Sequence, residues 1–459
     1  MLRIVKYSFS ALALLAAGAT AVSAASPNLM IGTDMGQTDL YFFNMDTDQR
    51  IKVDLSQDPM WPSARPTAPT APHAGGGALH TIITPDGSKA YLSVMSSDKD
   101  PATFLALRIN KLDWKTGTAD VKITKVMRAA EPGEEPSFLI PTETDSNQPV
   151  TDLWKVTRVN GQQLHGPTLH PSGKFVYFTQ WTDNKIRVID VDKDELAAVD
   201  PIQYGTRTRQ IHGVFFNPSG DLAMATGYYY DMNEMTLYKV DKQTGNLTLD
   251  KVVPLTVSEK DKEYAAFTHF VWWLDDRYAI TSTQQTGNTS LTPTGWKVIG
   301  PSVWLIDAVE SKGKMIIGPA KSPDDPGIYR PGSDVVVVGK KLYVGEEDSM
   351  RATTHQGNVS VWDIKDPNFQ GNVSIWDISD PNSPKFIKRL QAGKQLPADF
   401  NMTHEIYASM DGRHVYAQSW ASGYLVKIDG ATDNVVAVVS TADAGWHMPH
   451  GNFVQGALR

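Results

Sequence analysis

The sequence predicts an all-β fold: a seven-bladed β-propeller whose ring is closed by N- and C-terminal strands sharing one blade. Three observations carry this expectation. Short alternating or β-branched runs bounded by Gly, Pro, Asp and Asn fill the chain, and helical periodicity is scarce. One unit recurs: a strand, a Pro/Asp/Ser-Gly turn, an aromatic strand, a polar loop and a strand ending in Ile-Asp or its equivalent. The 459 residues are 41% hydrophobic with 35 Gly and 28 Pro, a globular balance that radial repetition can keep in one closed unit.

The elements follow in chain order. Residues 1–24 read as a secretory signal peptide: Arg3 and Lys6, an apolar stretch, then Val22-Ser23-Ala24 before a cut near Ala24. That stretch is too short to span a bilayer, so no membrane anchor is expected. The remainder, 25–459, is expected to be one exported, periplasmic propeller domain. Leu29–Leu55 supplies strands of a first unit, whose innermost strand comes from His450–Val454. Complete units open at Leu79, His165, His212, His269, Asp334 and His404. Closing strands end at Asp190, Asp241, Asp307 and Asp429. At roughly 60 residues, the unit exceeds the usual length of about 40–45, so Asp98–Asp152, Thr286–Trp296 and Ser311–Pro331 are read as insertions. Gln356–Pro367 and Gln370–Pro381 are near-identical copies, read as a duplicated closing strand and turn, the second copy being a surface hairpin or an extra edge strand.

Composition excludes whole classes of function. The net charge is −8 without a basic cluster, which argues against nucleic acid as a partner. There is no cysteine, so disulfides, thiolate nucleophiles, iron–sulfur clusters and thiolate metal sites are excluded. No phosphate loop, nucleophile elbow or His-Glu-x-x-His helix is present.

The histidines are the informative feature. His80, His165, His212, His269, His404 and His450 stand at one repeat phase, just before each innermost strand, and Asp334 takes that place in the remaining unit with Arg330 nearby. In a propeller, residues at one phase form a ring at one mouth of the channel. Any one such histidine is more often structural. Six at one phase converge on an axis, where imidazoles with Asp or Glu and no thiolate suit Cu, Zn, Fe or Ni. Two or three ions match the number of ligands. The other histidines are weaker candidates: His170 is read as structural, His414 as solvated, and His355, His447 and His73 are left open. Glu405, Glu346, Glu347 and Asp231 are candidate bases or ligands, and Trp272-Trp273 is read as packing between blades.

With the His-Gly starts, Thr403-His404-Glu405 and His447-Met448-Pro449-His450-Gly451 in view, the chain from about His80 to Gly451 resembles the thiocyanate dehydrogenase family. The resemblance implies an exported propeller with histidine-bound copper, two or three ions, in its channel. It implies oxidation of thiocyanate, a small anionic substrate, to cyanate and sulfur. Electrons then pass to a soluble acceptor such as a c-type cytochrome. The metal-ligand role carries over to His80, His165, His212, His269, His404 and His450, with Asp334 as a weaker candidate. Glu405, or His404 beside it, is the candidate proton acceptor. No residue here matches the family's substrate-orienting cation or its acid–base carboxylate by motif. Trp376–Pro381 is also similar to selenium-binding-protein and methanethiol oxidase propellers, whose cysteines are absent here. The alternative class is a non-catalytic propeller: a binding platform, or the heavy subunit of a complex like the quinone amine dehydrogenases.

Overall fold

A computed structural model describes residues 29–34, 38–62, 77–94, 102–129, 140–141, 156–157, 164–180, 185–199, 202–203, 210–228, 234–265, 267–284, 297–330, 332–346, 371–401, 403–409, 411–419, 422–440 and 449–453. The signal-peptide reading, the first duplicated copy and His73, His355 and His447 lie outside them.

The chain is an all-β propeller. Among the described residues the one helical element is the 3-10 turn Leu55–Gln57. Blade 1 combines Leu29–Asp34, Asp39–Asn44 and Gln49–Asp54 with the C-terminal strand Pro449–Phe453. The next is blade 2, formed by Ala78–Ile83, Lys89–Val94, Thr103–Asp113 and Thr118–Arg128. Blade 3 opens with Leu164–Leu169, Phe175–Gln180 and Lys185–Asp190, with short outer strands beyond. In blade 4 the strands are Gln210–Phe216, Leu222–Tyr228, Glu234–Val240 and Leu247–Pro254. Blade 5 has Thr268–Trp273, Tyr278–Thr283, Val303–Asp307 and Lys312–Ile317. Blade 6 has Gly332–Val338, Lys341–Glu346, Asn372–Asp377 and Lys385–Gln391. Thr403–Ala408, His414–Ser419, Tyr424–Asp429 and Val435–Ser440 make blade 7.

The innermost strands adjoin in blade order, and Pro449–Phe453 lies against both Ala78–Ile83 and Thr403–Ala408. The two termini therefore close the ring, and no open sheet edge is left between blades 7 and 2. Period-2 alternation explains how the blades hold together. In Asp39–Asn44, Leu40 and Phe42 enter the core shared with blade 2, while Tyr41 and Phe43 enter the core shared with blade 7. Each adjoining pair of blades shares such an apolar layer. Inner strands are buried on both faces, as Ala78–Ile83 is throughout. Outer strands alternate, as in Thr118–Arg128.

Two expectations are corrected here. The stretch read as an insertion over Asp98–Asp152 contains the third and fourth strands of blade 2, and Ser311–Pro331 contains the outer strand of blade 5. Half-exposed outer strands are rich in charge and mimic loops in sequence. The second duplicated copy is neither a hairpin nor an edge strand. Asn372–Asp377 is an interior strand paired on both sides, with Trp376 packed on Phe386.

The end of the ring away from the inner-strand starts is tied from blade to blade. Tyr91 donates to Asp194 at 2.5 Å, and Lys89 pairs with the same carboxylate at 3.0 Å. Tyr343 and Lys341 repeat this with Asp433 at 2.6 and 2.8 Å. Tyr177 donates to the carbonyl of Gly245 at 2.7 Å. Asp194, Asp433 and Gly245 all have positive φ, a turn geometry that Asp tolerates and Gly adopts without penalty. The receiving turn therefore presents its acceptor to the neighbouring blade.

Candidate functional site

At the other end of the ring, the innermost strands of blades 2 to 7 are interrupted at the same place, whereas Pro449–Phe453 of blade 1 pairs without a break. Pairing between first and second strands shifts between Ala78 and Thr81, His165 and Thr168, Ile211 and Val214, Thr268 and Val271, Gly332 and Val335, and Thr403 and Ile406. Two inner-strand residues stand opposite one partner residue, which defines a β-bulge. The bulged pairs are Leu79-His80, Gly166-Pro167, His212-Gly213, His269-Phe270, Ser333-Asp334 and His404-Glu405. Bulges re-aim side chains, and these carry most of the residues singled out from sequence. The histidines thus lie inside or at the start of the inner strands, not before them as expected. Gly166 has φ +48°, and a Cβ there would collide with the His212 carbonyl. This explains the glycine after His165.

A bulge leaves backbone groups without ladder partners. Small hydroxyls of the second strands take them up and tie neighbouring blades. Ser93 Oγ accepts from the His80 amide at 3.0 Å. Thr33 donates to the Leu79 carbonyl at 2.7 Å, Thr179 to that of His212 at 2.8 Å and Thr226 to that of His269 at 3.0 Å. Ser282 donates to the Ser333 carbonyl. In blade 6 this phase is Gly345, whose Cβ would strike Ser333 Oγ, and Ser333 itself donates to the Thr403 carbonyl at 2.5 Å. This belt was not read from the sequence, although its signal is there: a Ser or Thr recurs near the end of the second strand.

On this belt five imidazoles form one arc. Ring centroids of His80 and His165, His165 and His212, and His212 and His269 are each 4.1 Å apart, and those of His269 and His404 are 4.8 Å apart. Glu405 Oε1 lies 4.0 Å from His80 Nδ1 and brings the arc round from blade 7 to blade 2. Tyr407 donates its hydroxyl to the other oxygen of Glu405. Asp334 Oδ1 is 2.7 Å from His269 Nδ1. All but His165 among these imidazoles, Asp334 and Glu405 are buried. Burial pushes the His212 pKa well below the usual histidine value, and repulsion from His165, His269, His404 and His80 adds to this. His212 is therefore neutral at pH 7, with a lone pair on one ring nitrogen.

His450 lies in the innermost strand of blade 1, paired with Thr33. Six of the seven predicted metal residues, His80, His165, His212, His269, His404 and Asp334, are thus brought together. Among the described residues no three His, Asp or Glu groups are arranged to hold one metal ion. The imidazoles adjoin in pairs, and the donor set is of the kind that borderline transition metals take.

Other candidates are engaged elsewhere. Glu346 is paired with Arg389 at 3.0 Å, both side chains buried, and Arg389 also donates to the carbonyls of Pro323, Asp325 and Gly327. Glu346 thus anchors the loop before blade 6 and is not placed to act as a base. His170 meets Ser172 Oγ at 2.8 Å and the Gly220 carbonyl at 2.9 Å, a link between the turns of blades 3 and 4. Trp273 packs between blades 4 and 5 and donates to the Phe215 carbonyl at 3.1 Å. Glu347 and Asp231 lie outside the described residues.

No known protein-family model matches the chain, and no curated protein matches it. Solved structures do. A periplasmic gluconolactonase of Pseudomonas aeruginosa has a TM-score of 0.54 at 12% identity over 94% of this chain and 99% of that one. A functionally unknown protein from Desulfotomaculum acetoxidans has a TM-score of 0.54 at 12% identity, over 93% and 98% of the two chains. A protein from Lactobacillus plantarum gives 0.54 at 12% identity over 93% and 98%. At such identities the likeness shows the propeller fold. No helix among the described residues is long and apolar enough to cross a membrane.

Proposed function

We propose that the chain is an exported copper-dependent oxidoreductase acting on a small sulfur-containing anion, with thiocyanate as the substrate and a soluble c-type cytochrome as the electron acceptor. The observation that supports this reading is the arc of five imidazoles drawn from five blades. Packing imidazoles together in a buried space disfavours their protonation and offers no apolar packing that Leu or Phe would not supply better. Neutral imidazole is the ligating form, and this donor set without thiolate suits copper.

His80, His165, His212, His269 and His404, joined by His450 from blade 1, would hold two or three copper ions. Bound copper supplies electron acceptance and Lewis acidity. The protein's own part is threefold. The belt of hydroxyls fixes the bulges and so the positions of the rings. The buried mouth keeps bulk water from the reacting anion. Glu405, held by Tyr407 and facing His80, accepts a proton at its carboxylate as water adds to the substrate. Thiocyanate and one water give cyanate, sulfur, two protons and two electrons. The electrons leave in single steps to the acceptor.

Copper counting tests the reading. The exported protein, loaded with copper and dialysed, is expected to keep at least two ions per chain, and His212→Ala or His269→Ala to keep fewer. Loaded protein is expected to form cyanate from thiocyanate with oxidised cytochrome c. Retention of no copper would support the binding-platform alternative and end this proposal. Full loading with no cyanate would remove thiocyanate while leaving the metal site.

A further inference from the structure

Three successive blades repeat one contact. His165 Nδ1 lies 3.3 Å from the His212 carbonyl, and His212 Nδ1 lies 3.2 Å from the His269 carbonyl. His269 Nδ1 lies 2.7 Å from Asp334 Oδ1. A carbonyl oxygen cannot donate, so in the first two contacts the proton is on Nδ1. Each carbonyl also accepts from the second-strand threonine of the preceding blade, so both its lone pairs are used. At the third interface the inner strand carries Asp334 at its bulge, and a carboxylate replaces the carbonyl as acceptor.

We infer that His165, His212 and His269 are held as one tautomer, protonated at Nδ1 with the lone pair on Nε2, and that Asp334 is the positioning residue for His269 and not a metal ligand. This rests on the metal-site reading above. It specifies Nε2 as the ligating atom in three rings. The physical reason is cooperative: a hydrogen bond at one ring nitrogen fixes the ring's rotation and directs the other nitrogen's lone pair, as acceptors behind metal-bound imidazoles do. The neutral histidine side chain in water favours the opposite tautomer, so the arrangement departs from chance at each position.

The test begins with metal-free protein labelled with ¹⁵N at histidine. The expected result is Nδ1-protonated signals for His165, His212 and His269. Predominant Nε2–H signals at any of the three would overturn the inference. Copper(II) titration in competition with a chelator then addresses Asp334. Asp334→Ala is expected to return His269 to the solution tautomer mixture and to weaken copper binding by about 10–100-fold, with the ion count unchanged. Asp334→Asn keeps an acceptor oxygen and is expected to restore most of that loss. Loss of one whole ion in both variants would make Asp334 a ligand and refute the assignment. A chain that binds no copper at all removes the proposed function, while the nitrogen signals of the intact chain and of Asp334→Ala decide the tautomer and the positioning role by themselves.

Discussion

The two ends of the ring use buried polar groups to opposite purposes. At the turn end, Tyr91 and Tyr343 donate to Asp194 and Asp433, Lys89 and Lys341 pair with the same carboxylates, and each contact crosses a blade boundary. At the mouth, five imidazoles face one another with Asp334 and Glu405 as the acidic groups among them. The first arrangement is what stability alone selects. The second crowds groups that repel when protonated, and a protein keeps such an arrangement where a site needs it. The lesson is that the partner a buried polar group meets, and not its burial alone, distinguishes the two arrangements.

The comparison can be broken by substitution. The largest effect is expected where scaffold ion pairs are wholly buried. Arg389→Met leaves Glu346 buried without its partner and frees three carbonyls, a loss of about 3–5 kcal/mol in urea unfolding. The double variant Arg389→Met/Glu346→Leu should recover much of it. Asp433→Ala at the turn end removes the carboxylate that Tyr343 and Lys341 share, leaving Lys341 the carbonyls of Gly430 and Ala431, and should cost about 2 kcal/mol. At the mouth, His212→Ala should change the stability of the metal-free protein at pH 7 by less than about 1 kcal/mol while lowering the number of copper ions the loaded protein keeps. A loss as large as that of Asp433→Ala would place His212 with the scaffold.

The same contrast has a pH signature. His212 has a folded pKa well below 6.5, so the unfolded chain takes up its proton first as pH falls. Above 6.5 the group contributes no pH dependence. Below it, stability falls by up to about 1.4 kcal/mol per pH unit until the folded pKa is reached. Denaturation between pH 7 and 5 should show this slope, and His212→Ala should lessen it. The smallest effect concerns blade 6, whose third-strand position is filled by Asn372–Asp377. Deleting 356–369 shortens the connection between Lys341–Glu346 and Asn372–Asp377 and should alter stability by less than about 1 kcal/mol, because closure entropy grows slowly with connection length. A molten or aggregated deletion variant would show that the first copy is needed by the fold.

What was legible in the sequence follows from periodicity. Strands such as Asp334–Val338 and Thr403–Ala408 are continuous apolar or aromatic runs because both faces are buried, and their repetition foretold the propeller and the shared blade of the termini. The outer strands of blades 2 and 5 look like insertions in the sequence because one of their faces meets water. The histidine phase was legible too, since six imidazoles at one repeat position need no coordinates to be noticed.

The sequence by itself determined the repeating unit, the absence of thiolate chemistry and the register of the histidines. Tertiary structure decided which neighbour each side chain meets. A bulge is one extra residue, and in a strand buried on both faces it leaves no mark on hydrophobic periodicity, yet it turns His404 and Glu405 toward different partners. Likewise, Asp334 reads as a substitute for a histidine until its carboxylate is seen against His269, from another blade 65 residues away in the chain. Contacts between blades depend on closing the ring, and that closure is a property of the whole chain and of no local segment.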